Sequence, residues 1–296
     1  MTPFTRSRVL LAVVLSLLLL VGACGKDDPT TEAGPDDSAP AADRAAVEKA
    51  VRDSLKAENA KDAKAFLALW TDKGLESYDV GSRADLEAGK AEGFGEEPIE
   101  LLKFTKTEVT GTTARTTAQA MREENQVAKP LFQATFSLLK KGEQWLLDGF
   151  EYQGGPPPSR GEQVVAVKAQ EYGFAMETEL PGNVAFTFTN AGKEQHEMTL
   201  FKAPGPVSIG DAKKALENVD GSGEMVDDLP AGYAADHITF AEAGQTQNVT
   251  FAEPLAAGTY VVACYIPQGG FGENGPVDPD GKPHIQLGMI NVLTVT

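Results

Sequence analysis

Histidine, cysteine and tryptophan are all scarce in this 296-residue chain, with three, two and two copies. Basic residues are also short, with 26 Lys and Arg against 43 Asp and Glu and a formal net charge of −17. That deficit argues against nucleic acid or an anionic membrane surface as partner, because phosphate contacts require clustered basic side chains. Keeping the protein soluble is the plainer use of such charge. The chain also lacks an apolar run of bilayer-spanning length. Residues 9–21 form a stretch of 13, where about 20 are needed.

That short stretch has another meaning. Arg6 and Arg8 precede it, and Gly22, Ala23 and Cys24 follow it, the charge, apolar and small-residue order of an export signal. Leu20-Val21-Gly22-Ala23-Cys24 resembles a bacterial lipobox, which implies a diacylglyceryl group on the Cys24 thiol, loss of residues 1–23, and anchoring on the outer face of the cell membrane. Two acyl chains suffice for stable anchoring. The alternative is an ordinary leader cut near Ala23; both readings export the rest of the chain. Without residues 1–23 the chain has 24 basic and 43 acidic residues, a net charge of −19. Residues 24–43 are rich in Asp, Pro, Thr, Gly and Ala and cannot bury enough apolar surface to offset their ordering entropy, so they read as a flexible acidic tether.

Some 270 residues exceed the usual single domain, and Gly154-Gly155-Pro156-Pro157-Pro158-Ser159 reads as a stiff, unpaired connector. The expected units are residues 44–153 and 162–296, with 154–161 between them. In the first, Val47, Val51 and Leu55 recur at helical spacing and a second short helical run covers 63–70. Segments 99–109, 112–121, 131–139 and 144–150 follow, rich in β-formers, with Phe132, Ala134, Phe136 and Leu138 alternating on one face. Helices on a curved antiparallel sheet make an α+β domain. The helix end at 67–70 with its Trp70, and the closing Trp145-Leu146-Leu147-Asp148-Gly149, resemble the NTF2-like (SnoaL-like) family, which implies a cone-shaped fold. This segment contains no histidine. Glu76, Asp79 and Asp85 read as solvated surface, and no site is expected here.

The second unit predicts short strands at 164–168, 184–189, 197–202, 246–251, 259–266 and 290–295, separated by Gly, Pro and Asn, the pattern of an all-β sandwich. Ser208 and Asp211 predict the start of a short helix running to about residue 218, ended by Gly221 and Gly223. If Cys24 carries lipid, Cys264 has no disulfide partner in the chain, and an unpaired thiol in an oxidising compartment is a liability unless something protects or uses it. A blue-copper site needs two imidazoles, one thiolate and a long axial thioether, and a loop between strand ends can supply a Cys, a His and a Met together. Cys264 ends the run 258–264, and His284-Ile285-Gln286-Leu287-Gly288-Met289 precedes the last strand. His196 follows the strand at 184–189.

These residues resemble the cupredoxin (plastocyanin- and azurin-like) family over about 162–296. The resemblance implies a Greek-key sandwich with one type 1-like copper, His196, Cys264 and His284 as equatorial ligands and Met289 as the axial one. It departs from the family in the 19 residues, 265–283, between Cys264 and His284. Such an insertion folds out as a lid and leaves the ligands in place, or it displaces His284. Its Glu273, Asn274, Asp278 and Asp280 do not match an EF-hand loop. Taken singly, His196 reads equally as a loop-bonding residue, His284 as a surface residue and Met289 as core; their joint order favours the metal. His237 reads as a loop or strand-end residue.

A second copper centre would need further histidines, and only His237 remains, so a multicopper enzyme is excluded and no enzymatic activity is expected. The expected function is an envelope-anchored lipoprotein that holds or delivers copper or passes single electrons, with an envelope redox or copper-handling protein as partner. The alternative is a metal-free binding module of the same fold.

Overall fold

The computed structural model describes residues 41–78, 82–91, 94–95, 98–122, 127–217, 219, 229–272, 275–278 and 280–296. Cys24, the expected leader and most of the expected tether lie outside the described residues, as do Asp79, Gly221, Gly223, Glu273 and Asn274. No described helix is long and apolar enough to cross a membrane.

Among the described residues, the first part of the chain is four short-to-medium helices and four strands. Helix α1 (Ala41–Asn59) buries Val47, Ala50, Val51 and Leu55 along one stripe, as its spacing predicts. Helices α2 (Ala63–Leu67), α3 (Asp72–Tyr78) and α4 (Arg83–Glu87) follow. The Asp62 carboxylate accepts from the Ala65 N–H to cap α2, and Ser82 does the same for α4 through Asp85. Strands β1 (Ile99–Thr110), β2 (Thr113–Arg122), β3 (Pro130–Lys141) and β4 (Gln144–Tyr152) form an antiparallel meander. Bulges in β1 and in the β3–β4 ladder bend it. Trp70 fastens the helices to the sheet: its indole N–H donates to Ser54 Oγ at 2.7 Å and its backbone bridges Leu147.

The remainder is a sandwich. Its strands are β5 (Gln163–Gln170), β6 (Gly173–Ala175), β7 (Glu179–Leu180), β8 (Val184–Asn190), β9 (His196–Lys202), β10 (Ala234–Ala241), β11 (Thr246–Phe251), β12 (Gly258–Ala263), β13 (Phe271–Gly272), β14 (Gly275–Pro276) and β15 (Ile290–Val295). Helix α5 (Ile209–Leu216) starts at the Ser208 cap, and α6 (His284–Leu287) is a single turn. One sheet has the order β10-β9-β12-β15-β7, and β11-β8-β5-β6 faces it. Pairing is mixed, since β5–β8 and β7–β15 run parallel. Val165, Val167, Phe186 and Phe188 from one sheet meet Met198, Leu200, Tyr260, Val262 and Leu293 from the other in one apolar cluster. The far face of β9 and β12 is covered too, with Phe201, Val261 and Ala263 packed against Ala212 and Leu216 of α5. Burial on both faces explains the unbroken apolar run at 260–264.

Two expectations are corrected. His237 lies inside β10, paired with Thr199 at a bulge, because a strand whose residues alternate poorly leaves no period-2 signal. The glycine–proline connector is hydrogen-bonded: Gly154 O accepts from Gln133 N–H at 2.7 Å, and Gly155 N–H donates to Asn248 O at 3.1 Å. Beyond its pairing with β4, β3 pairs with β11 through Leu131–Thr250 and Pro130–Phe251, making one eight-stranded sheet of strands from both parts of the chain.

Candidate metal centre

Strand register gathers the centre at one end of the five-stranded sheet. His196 is the first residue of β9 and Cys264 follows the last residue of β12; these strands are antiparallel neighbours with Ala263 opposite Thr199. Ala263 also faces Ile290 of β15, so Met289 falls beside Cys264. The Cys264 N–H donates to Met289 O at 3.2 Å, and Met289 is fully buried in the same apolar cluster as Cys264. His284 opens α6, whose C-terminal Gly288 adopts φ 113°, a left-handed conformation that glycine supplies without steric cost.

The 19-residue insertion leaves these positions intact because its ends are tied together. Pro267 bridges Pro283, and Gln268 N–H donates to Lys282 O at 3.0 Å. The chain therefore returns where it left, and the N–H groups of His284 and Ile285 donate to Ile266 O and Cys264 O at 3.0 and 2.7 Å. The β13–β14 hairpin lies within the insertion.

The side chains converge. His196 Nδ1 and His284 Nδ1 are 3.1 Å apart, and Cys264 Sγ is 3.4 Å from His284 Nδ1. Ligand atoms of all three residues lie within 4.8 Å of one another, and all three side chains are buried. Two nitrogens each about 2.0 Å from one ion stand about 3 to 3.5 Å apart, so the spacing suits a single bound metal. One thiol and two imidazoles form a borderline-soft donor set that suits copper.

Burial sets the electrostatics. It holds the His196 imidazole down at about 4, with His284 adding to the effect. It lowers His284 as well, opposed by the Glu194 carboxylate. It pushes the Cys264 thiol well above its ordinary range, assisted by Glu197. Buried Glu197, whose Oε1 accepts from the Tyr265 N–H at 2.6 Å, is raised to about 7. Two neutral imidazoles and a protonated thiol facing one another in an apolar shell are what a cation would relieve. His196 Nε2 is also buried without a hydrogen-bond partner. The residues present therefore fit a mononuclear metal.

Sequence reasoning passed over the carboxylates around these ligands. Glu194 Oε2 is 2.9 Å from His284 Nε2. Glu171 lies near His196: a Cβ added at Gly192 would stand 2.8 Å from His196 Nε2 and 2.9 Å from Glu171 Oε1. Tyr172 sets its ring edge-on to His284, centroids 5.1 Å apart. The only available signal was the nearness of Glu194 to His196 in the chain. His284, which taken singly reads as a surface residue, is fully buried.

No protein-family model matches the chain, and no curated protein matches it. Among solved structures it is similar to dithionite-reduced auracyanin from the photosynthetic bacterium Roseiflexus castenholzii, at 24% identity over 46% of this chain and 98% of that one, with a TM-score of 0.28. Auracyanin B is similar at 26% identity over 49% of this chain and 96% of that one, TM-score 0.29. An NTF2-like protein of unknown function from Pseudomonas putida KT2440 is similar at 14% identity over 41% of this chain and 92% of that one, TM-score 0.31. Structural neighbours thus include a cupredoxin and an NTF2-like protein, each spanning less than half of the chain.

Proposed function

We propose that this is a copper-binding protein of the cell envelope, tethered through a lipid on Cys24, that holds or delivers one copper ion and is not an enzyme. His196, Cys264 and His284 would ligate the ion, with Met289 as the weaker fourth ligand. The observation that carries this reading is the burial of two imidazole nitrogens and a thiol within 4.8 Å of one another. Bound copper would supply a one-electron couple, and soft sulfur ligands favour its reduced state. Holding is favoured over rapid electron exchange because the outer nitrogen of His284 faces Glu194 rather than solvent. The partner in this reading is another redox or copper-handling protein of the envelope. Nucleic acid plays no part.

Titration of the reduced full-length protein with Cu(II), followed by visible absorption and EPR, tests the proposal. An intense thiolate-to-copper band that saturates at one ion per chain and vanishes in Cys264→Ala is the expected result. Absence of both the band and tight copper binding would leave a metal-free envelope binding module.

A further inference from the structure

We infer that Glu194 is the positioning residue of this centre, clasping the ring of His284 and the backbone of Gly269 with one carboxylate oxygen and so tying a metal ligand to the first turn of the insertion. The inference rests on the copper-holding reading and adds to it the device that keeps the ligand in place. Glu194 Oε2 is 2.9 Å from His284 Nε2 and accepts from the Gly269 N–H, also at 2.9 Å. The other oxygen accepts from the Tyr172 hydroxyl at 3.4 Å, and Gln268 Nε2 donates to that hydroxyl at 3.0 Å. Carboxylate, phenol, amide and imidazole thus close a ring around the outer edge of His284.

Three consequences follow from this geometry. A carboxylate only accepts, so the proton of neutral His284 sits on Nε2, and Nδ1 presents its lone pair toward His196 and Cys264. The anion also makes the imidazole a stronger donor to a metal. Finally, Glu194 comes from the same turn that delivers His196, so one short segment supplies a ligand and fixes its counterpart. The two histidines are unequal in this respect, because His196 Nε2 lacks a partner. Tyr172 presses on the clasp from a left-handed backbone, φ 62°, a conformation that is costly for a bulky residue and persists only where its surroundings impose it.

Two arms test the clasp and the copper reading separately. In the metal-free full chain, nitrogen NMR reads the His284 tautomer and amide exchange reads Gly269. The expectation is an Nε2–H tautomer and a slowed Gly269 amide. Glu194→Ala should speed that amide at least ~10-fold and erase the tautomer preference, and Glu194→Gln, which keeps a carbonyl acceptor, should largely restore both. In the copper arm, competition against a Cu(I)-chelating dye should show affinity lower by about 10- to 100-fold in Glu194→Ala, the usual cost of losing an outer-shell partner, with part recovered in Glu194→Gln. An unchanged tautomer and unchanged Gly269 exchange in Glu194→Ala overturn the clasp, as does wild-type copper affinity in that variant. If those metal-free signals change as expected while the wild-type protein takes up no copper, the clasp stands and the copper reading falls.

Discussion

His196 and Glu197 are neighbours in the chain, and the same burial displaces them in opposite directions, to about 4 and about 7. On acidification from pH 7 to 5 an unfolded histidine takes up a proton that buried His196 refuses, so its contribution to metal-free stability is full above about 6.5 and lost as pH falls toward 4. Glu197 runs the other way: its contribution is full below about 4.5 and lost as pH rises through 7. Each amounts to about 2 kcal/mol between pH 7 and 5, so the two slopes nearly cancel. Glu197→Gln removes one of them, and chemical denaturation of that metal-free variant should show a loss of at least about 2 kcal/mol from pH 7 to 5, with lowered His284 adding in the same direction. A pH-independent stability in the variant would mean that His196 titrates normally. Copper retention does not follow that balance, because protonation of His196, His284 and the Cys264 thiolate competes with ligation; bound copper should be released as the pH falls toward 4, and full retention at pH 4 would count against imidazole ligands. Gly192 gives a further check. Gly192→Ala drives a methyl group toward His196 Nε2 and should weaken copper binding by about 10-fold, with a near-native circular dichroism spectrum; unchanged affinity would place His196 outside the ligand set.

At the scale of elements, the strands were legible wherever one face meets the core and the other faces solvent, as along β2, and wherever both faces are buried, as in β12. The order of Cys264, His284 and Met289 was legible because those residue types are rare. Strand β10 was not, and neither was the one-turn α6, since four residues carry no helical period. The fate of the insertion also could not be read, because it depends on Pro267 meeting Pro283 and Gln268 meeting Lys282, contacts that composition does not announce. Those contacts make a prediction of their own. With its ends already closed, the insertion can be shortened by replacing residues 270–280 with a two-residue turn, at little entropic cost. The shortened chain should still take up one copper, measured by metal analysis, because His284 is fixed by backbone bonds to Ile266 and Glu194 still meets Gly269. Loss of copper would show that the hairpin itself holds the ligand.

For the whole molecule, the decisive feature is that the two apolar cores share a sheet. The pairing of β3 with β11 is reinforced next door, where the Asp236 carboxylate accepts from the N–H groups of Val127 and Ala128 at 3.0 and 2.6 Å, and Ala128 joins the sandwich core. The stretch before β3 is therefore held by the second part of the chain while β3 itself completes the first. Such a joint should make unfolding cooperative, since opening one core strips partners from the other. A ligand that binds only the folded sandwich adds about 4 kcal/mol at a thousandfold excess over its Kd, and that gain should reach the helices around Trp70 as well. Calorimetry of the wild-type protein should then show one transition that moves upward as a whole when copper is added. In Asp236→Ala, which strands two backbone donors at a cost of about 1–3 kcal/mol, the trace should divide, with copper raising only the sandwich component. Two transitions in the wild-type protein, one of them indifferent to copper, would mean that the shared strands align the two cores without coupling their stabilities.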